Sequence, residues 1–228
     1  STGEAAYAED MKTYQSQLDQ WPVNGLKEPN WGATKGLGIL TLARFAPDET
    51  LKQEAAAGVH QTADAYLAQI RFEGYQIPIN RGIWPWGSIG TLANRGLILG
   101  TAYDMSGDMK YRDGALDLLD YILGRNPRVI SYVSGHGENA FKAPHHRHWA
   151  GAQYRGFPLP PPGAVAGGPN NTDPAGPASA AIIDLCDGHA QICYIDHVDA
   201  YELNEVAINW QAATFWLAAW ADDIDRAD

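Results

Sequence analysis

Apolar residues recur at helical spacing along most of this chain, and the breaks between the periodic stretches carry recognisable stop and start signals. Residues 1–4 read Ser-Thr-Gly-Glu, a spacing in which the first and last side chains can satisfy each other's free amides at a helix start. A first helix is therefore expected to about Gln20. Pro22, Gly25 and Pro29 interrupt it, and a second apolar segment from Thr34 to Phe45 stops before Pro47. Asp48 can cap a third helix reaching about Arg71. The turn-rich stretch Gly74, Pro78, Gly82, Pro85 ends in Trp84-Pro-Trp-Gly-Ser88, where Ser88 can cap a fourth helix with Leu92, Gly96, Leu99 and Tyr103 on one face. Gly107 stops it. Asp108 opens a fifth helix, in which Ala115, Leu118, Leu119 and Ile122 repeat at three and four before Gly124. A sixth is expected over residues 204–221, with Asn204 as its cap.

Between helices five and six, residues 125–203 are rich in Gly, Pro, His and Asn and have little periodicity. A loop of that length inside a compact domain is usually functional or disordered. Residues 160–169, Pro-Pro-Pro-Gly-Ala-Val-Ala-Gly-Gly-Pro, have little to bury and are the candidate for disorder. The aromatic and His-rich flanks argue for order elsewhere.

Composition narrows the class of partner. The chain has 228 residues, 45% of them hydrophobic, which suffices for one real core. A net charge of −11 without any Lys/Arg cluster speaks against nucleic acid. No run of about 18 apolar residues suggests a membrane span. Residues 1–4 lack a charged-then-apolar signal pattern, so in a secreted protein the signal would already be removed. Eight Trp and eleven Tyr offer flat faces of the kind pyranose rings stack on, although most aromatics serve as core.

Candidate chemistry concentrates in two segments of the long loop. The first, Ser131-Tyr-Val-Ser-Gly-His-Gly-Glu-Asn-Ala-Phe-Lys-Ala-Pro-His-His-Arg147, presents His145, His146 and Arg147 together as donors suited to hydroxyl-rich ligands, carboxylates or phosphates. A metal is the rival reading of His136, His145, His146 and His148, but no carboxylate stands at a familiar ligand offset among them. The second segment packs Asp196, Asp199, Glu202 and Glu205 into ten residues. Helix-start electrostatics accounts for Glu202 and Asp199. Glu205 is followed by Val206, Ala207, Ile208 and Trp210, apolar neighbours that favour a protonated carboxyl, as a general acid requires. The dipole of a helix starting at Asn204 would oppose this, with Asp196 as the candidate negative neighbour that tips the balance. Cys186 and Cys193 can form a disulfide, share a zinc site with His189 and His197, or remain free thiols.

Both segments resemble the two active-site signatures of glycoside hydrolase family 9, the cellulase family. The first matches through Ser131, Val133, Ser134, Gly137, Asn139, Pro144, His145 and Arg147, and the second through Tyr194, Asp196, Tyr201, Glu205 and Ala207. Supporting resemblance lies in Trp86-Gly-Ser88, Asp120-Tyr-Ile-Leu-Gly-Arg-Asn-Pro127 and Gly167-Gly-Pro-Asn170. The resemblance implies an all-α (α/α)6 barrel, inverting hydrolysis of β-1,4-glucosidic bonds in cellulose or a related β-glucan, and an extracellular location. Glu205 would protonate the leaving oxygen. His145, Arg147, Tyr201 and, beside them, His146 would hold the sugar on the non-reducing side, and Asp196 would support the Glu205 loop and its protonation. Two departures stand out. Gln211 replaces an Asn that ends the second signature, and the family's acidic Asp-Ala-Gly-Asp type motif, source of the general base, is absent, Asp184-Leu-Cys-Asp187 being a weak imitation. Six helices are half of twelve. Residues 1–228 are accordingly expected to form the C-terminal half of one catalytic domain, with long active-site loops and with the N-terminal half as a partner. No cofactor is required on this reading; calcium, common in the family, has no assigned site, since Gly32 follows Trp31 where relatives are often acidic. Hydrolysis of another β-linked sugar such as a glucosaminide, and a non-catalytic sugar-binding remnant, are the alternatives.

Overall fold

The computed structural model describes residues 4–13, 26–80, 82–172 and 186–226, together with the single positions 176, 178, 180 and 182. Among the described residues the regular structure is helical, and helices α1 (Ala5–Thr13), α2 (Lys35–Phe45), α3 (Glu49–Ile70), α4 (Ser88–Ser106) and α5 (Met109–Leu123) follow the expected order. A four-residue turn α6 (Tyr201–Asn204) and the long α7 (Ile208–Asp225) complete it. The capping pair at residues 1–4, and any extension of α1 to Gln20, lie outside the described residues.

Two of the expected caps form. The Asp48 carboxylate accepts from Leu51 N at 2.8 Å, and that of Asp108 from Lys110 N at 3.1 Å, each satisfying an amide with no partner inside its helix. Ser88 does not cap α4. The residue before the helix is Gly87 at φ 77, a conformation that carries no side-chain cap, and the Ser88 hydroxyl donates instead to Pro169 O at 2.7 Å.

Helix α4 is the centre of the packing and touches α2, α3, α5 and α7. Its Leu92 and Leu99 are fully buried, as are Ala115, Leu118 and Ile122 of α5. Glycines let α7 come close: a Cβ on Gly96 would lie 2.6 Å from Leu217 Cδ2, and one on Gly90 would lie 2.1 Å from Trp210 Cδ1. At the α3 end of the core, Arg95 of α4 pairs with Glu28 at 2.7 Å, and the Tyr66 hydroxyl donates to the same carboxylate at 2.7 Å. Burial pushes the Glu28 carboxyl up, but Arg95 and Tyr66 outweigh it and hold the group below its ordinary value.

Much of the described part of the segment from Arg125 to Ala200 is held by side-chain and single backbone bridges, with a short 3-10 turn at Ala190–Ile192. Asn126, buried just beyond α5, donates to Tyr121 O and Ile130 O and accepts from Arg128 N and Ile130 N, which builds the turn into the first signature segment. Isolated bridges join Ser131 to Ala140, Val133 to Val165 and His145 to Glu205. The disorder expected of residues 160–169 is not what the structure has. Residues 164–170 are buried, and Gln211 of α7 clips them down, donating to Gly163 O at 2.5 Å and accepting from Val165 N at 3.1 Å. The long Gln side chain, a departure in the motif, is what reaches both groups. Cys186 and Cys193 are disulfide-bonded with Cα atoms 5.2 Å apart, which removes both thiolates from any zinc set.

Candidate active site

The end of the second signature departs from the expected continuous helix. Asn204 is not a cap but a buried junction: its amide donates to Ile195 O at 2.6 Å and His197 O at 3.2 Å, and its oxygen accepts from the Tyr194 hydroxyl at 2.6 Å. Those bonds tie the chain to residues 194–197, and the backbone turns extended at Glu205 (φ −58, ψ 145) before α7 begins at Ile208. Glu205 therefore stands outside the first turn of α7, so the opposing dipole expected from Asn204 does not apply. Of its apolar chain neighbours, Ile208 is 91% exposed, while Trp210 is buried and Val206 packs partly against the core.

The surroundings of Glu205 come from elsewhere in sequence. His145 N donates to Asn204 O at 2.8 Å, and Gly167 N donates to Glu205 O at 3.0 Å, so the main chain places the two signatures side by side. The half-buried Glu205 carboxylate accepts one hydrogen bond among the described residues, from the Trp86 indole Nε1 to Oε2 at 3.1 Å. The Trp86 ring lies 5.9 Å from that of Tyr201, which in turn lies 5.5 Å from His145. His145 Nδ1 is 2.7 Å from Val198 O; because a carbonyl only accepts, that nitrogen holds its hydrogen and Nε2 is left for a ligand.

His146 is arranged differently. Its ring stacks on Trp149 at 4.1 Å, and its Nδ1 accepts from His148 N and Trp149 N, both at 3.2 Å. Those bonds require a neutral ring with the proton on Nε2. Burial, followed by the nearby His148 and His145, holds its pKa below the ordinary imidazole value.

The two oxygens of Asp196 accept from Lys142 N at 2.7 Å and Ala143 N at 2.8 Å, so it fastens the histidine loop, and among the described residues no hydrogen bond joins it to Glu205. Burial pushes its pKa up, and the two amide bonds only partly offset that. Glu202 is likewise more than a helix-start charge: it is buried and accepts from Gly176 N at 2.7 Å. Of the weak base candidate, Asp184 lies outside the described residues and Asp187 is exposed in the disulfide turn at φ 43.

His145, His146, Arg147, Tyr154, Phe157 and Asp199 line an open cleft of about 640 Å³. Arg147 is exposed there with no hydrogen bond or ion pair among the described residues, so its guanidinium is available to a ligand. A second cavity of about 580 Å³ has Trp31, Asn80, Trp86, Asn94 and Trp210 in its wall. Sequence reasoning missed Tyr154 and Phe157, which carry no motif. It noted Trp86 in a turn and in the supporting resemblance but gave it no role, and 119 positions separate it from its carboxylate partner. The assembled groups offer an acid, an imidazole and a guanidinium beside aromatic faces.

The profile of glycosyl hydrolase family 9 matches residues 1–218. This chain belongs to glycosyl hydrolase family 9. Among curated relatives it is 41% identical over 202 residues to the cellulose 1,4-beta-cellobiosidase of Acetivibrio thermocellus, covering 86% of this chain and 22% of that protein. It is 37% identical over 235 residues to endoglucanase C of Cellulomonas fimi, covering 100% of this chain and 21% of that protein. Its fold matches the crystal structure of the family 9 endoglucanase J30 with a TM-score of 0.82 at 26% identity, over 97% of this chain and 40% of that one. The structural neighbours are (α/α)6 barrels, of which this chain covers part. It spans about one fifth of the length of these two curated relatives and two fifths of the solved one.

Proposed function

We propose that this family 9 chain contributes the general acid, Glu205, and one sugar subsite to inverting hydrolysis of β-1,4-glucosidic bonds in cellulose or a related β-glucan. The observation that supports the reading is the backbone bridge between Glu205 and His145, a residue that lines the cleft together with His146 and Arg147. In the proposed roles, Arg147 and His145 Nε2 hydrogen-bond the sugar on the non-reducing side of the scissile bond. Tyr201 and His146 shape the same subsite, and Asp196 holds the loop that presents them.

Inversion needs a second carboxylate roughly 6.5–9.5 Å from the acid, on the far face of the sugar, to activate water. On this reading that group comes from the part of the catalytic domain beyond this chain, which acts as its partner. The disulfide is consistent with an extracellular protein.

The test is Glu205→Gln in the complete catalytic domain. Turnover of cellotetraose should fall by roughly 10²–10⁴-fold, the usual contribution of a general acid, while binding measured by calorimetry is retained. Near-normal turnover would overturn the assignment.

A further inference from the structure

We propose that Trp86 is a positioning residue for Glu205, its indole N–H occupying Oε2 and thereby assigning the transferable proton to Oε1. The inference rests on the reading of Glu205 as the acid and adds which of its two oxygens acts. An indole nitrogen is a donor only. A protonated Glu205 beside it can satisfy that N–H only with a bare oxygen, and the bare oxygen is Oε2, 3.1 Å from Nε1. The acid hydrogen is left on Oε1, which accepts no hydrogen bond among the described residues.

The donor and the carboxylate are held by one framework. Trp84 N donates to the Asn171 side chain at 2.8 Å and Asn171 N to Trp84 O at 3.1 Å. The Ser88 hydroxyl reaches Pro169 O, and Ile89 N reaches Gly167 O at 3.0 Å. Residues 167–171 thus clasp the turn carrying Trp86, while Gly167 N holds the Glu205 carbonyl. Gly87 adds the last constraint. At φ 77 it turns the chain and lets the Trp210 ring lie where any Cβ would be 2.5 Å away.

During the reaction the Oε1–H bond breaks and its proton passes to the glycosidic oxygen. That oxygen keeps the electron pair of the breaking C–O bond and leaves as a sugar hydroxyl. Water adds to the anomeric carbon and gives its proton to the partner carboxylate of the inverting pair. Glu205 is left ionised, and the Trp86 N–H on Oε2 becomes a charge-assisted bond, stronger in the transition state than before it.

The complete catalytic domain carrying Trp86→Phe keeps an aromatic ring and loses the N–H. Its kcat/KM for cellotetraose, whose leaving sugar needs a proton, should fall by about tenfold or more, against less than about twofold for 2,4-dinitrophenyl β-cellobioside, whose leaving group needs none. Equal losses on both substrates, as a purely structural role would give, or no loss on cellotetraose, would overturn the inference. Should that variant fail to fold, 15N–1H spectra of the indoles of the complete domain, otherwise wild-type and with Glu205→Ala, decide the matter. One indole proton should move upfield when its acceptor is removed; indole resonances that all stay in place refute the bond. If Glu205→Gln leaves cellotetraose turnover intact, the acid assignment itself fails; if it abolishes turnover while Trp86→Phe lowers both substrates alike, only the role of Trp86 fails.

Discussion

Gly90→Ala should destabilise this protein, against the rule that alanine improves a helix interior. In an open helix the exchange contributes about 0.5–1 kcal/mol of stability, because glycine loses more backbone freedom on folding. At position 90 the new methyl would lie 2.1 Å from Trp210 Cδ1 and 2.7 Å from Cγ, well inside contact distance. Other atoms of the indole already fill the space that a Cβ on Gly87 or Gly167 would need, at 2.5 Å and 3.2 Å, so the ring lies close against both of those backbones as well. Overpacking of this kind costs about 1–3 kcal/mol, and a pinned ring puts it at the upper end. The net expectation is a loss of about 1–2 kcal/mol. Gly38→Ala in α2 is the internal comparison: it is exposed, nothing lies within 4 Å of its added methyl, and it should gain up to about 1 kcal/mol. Urea unfolding followed by near-ultraviolet circular dichroism measures both. Gly90→Ala as stable as Gly38→Ala, or more so, would refute the reasoning, because the local helix preference would then be the only effect at work.

Two further outcomes are expected. Asp196→Asn replaces an oxygen that accepts from Lys142 N or Ala143 N with a donor, so one of these amides loses its partner at about 0.5–1.5 kcal/mol and the histidine loop loosens; amide exchange at residues 141–147 and a raised KM for cellotetraose check it. His146 favours its neutral form in the fold, so its contribution to stability is present above the ordinary imidazole pKa and lost as pH falls below it, when a protonated Nδ1 would face the His148 and Trp149 amides; its NMR titration should fall below that of a free imidazole, with faster exchange of those two amides on protonation.

What the sequence made legible divides by range. The periodic faces of α4 and α5 and the Asp48 and Asp108 caps are readable because the residues that decide them lie within a few positions of one another. Ser88 looked like a cap by the same local logic, but Gly87 in a left-handed turn and the carbonyl of Pro169, 81 positions away, redirected its hydroxyl. Asn204 failed for a related reason: a buried tertiary junction outcompeted its capping preference and broke the expected helix. The two signature segments identified the residues of the candidate site, while their joining by a main-chain bridge, and the indole that meets Glu205, depend on segments no local pattern connects. Order in residues 160–169 comes from Gln211, whose partners are 46 and 48 positions away, and from residues 132–134, which bond the same segment.

Peptide groups join His145 and Glu205 across their bridge, through His145 N to Asn204 O, and a third segment holds the Glu205 carbonyl through Gly167 N. Position at this rim is therefore inherited from the backbone and not from the identity of the side chains it carries. Exchanging either residue changes what the rim can do without moving where it does it, which makes positions 145 and 205 a natural pair to randomise when redirecting such a scaffold toward a new sugar or a new reaction.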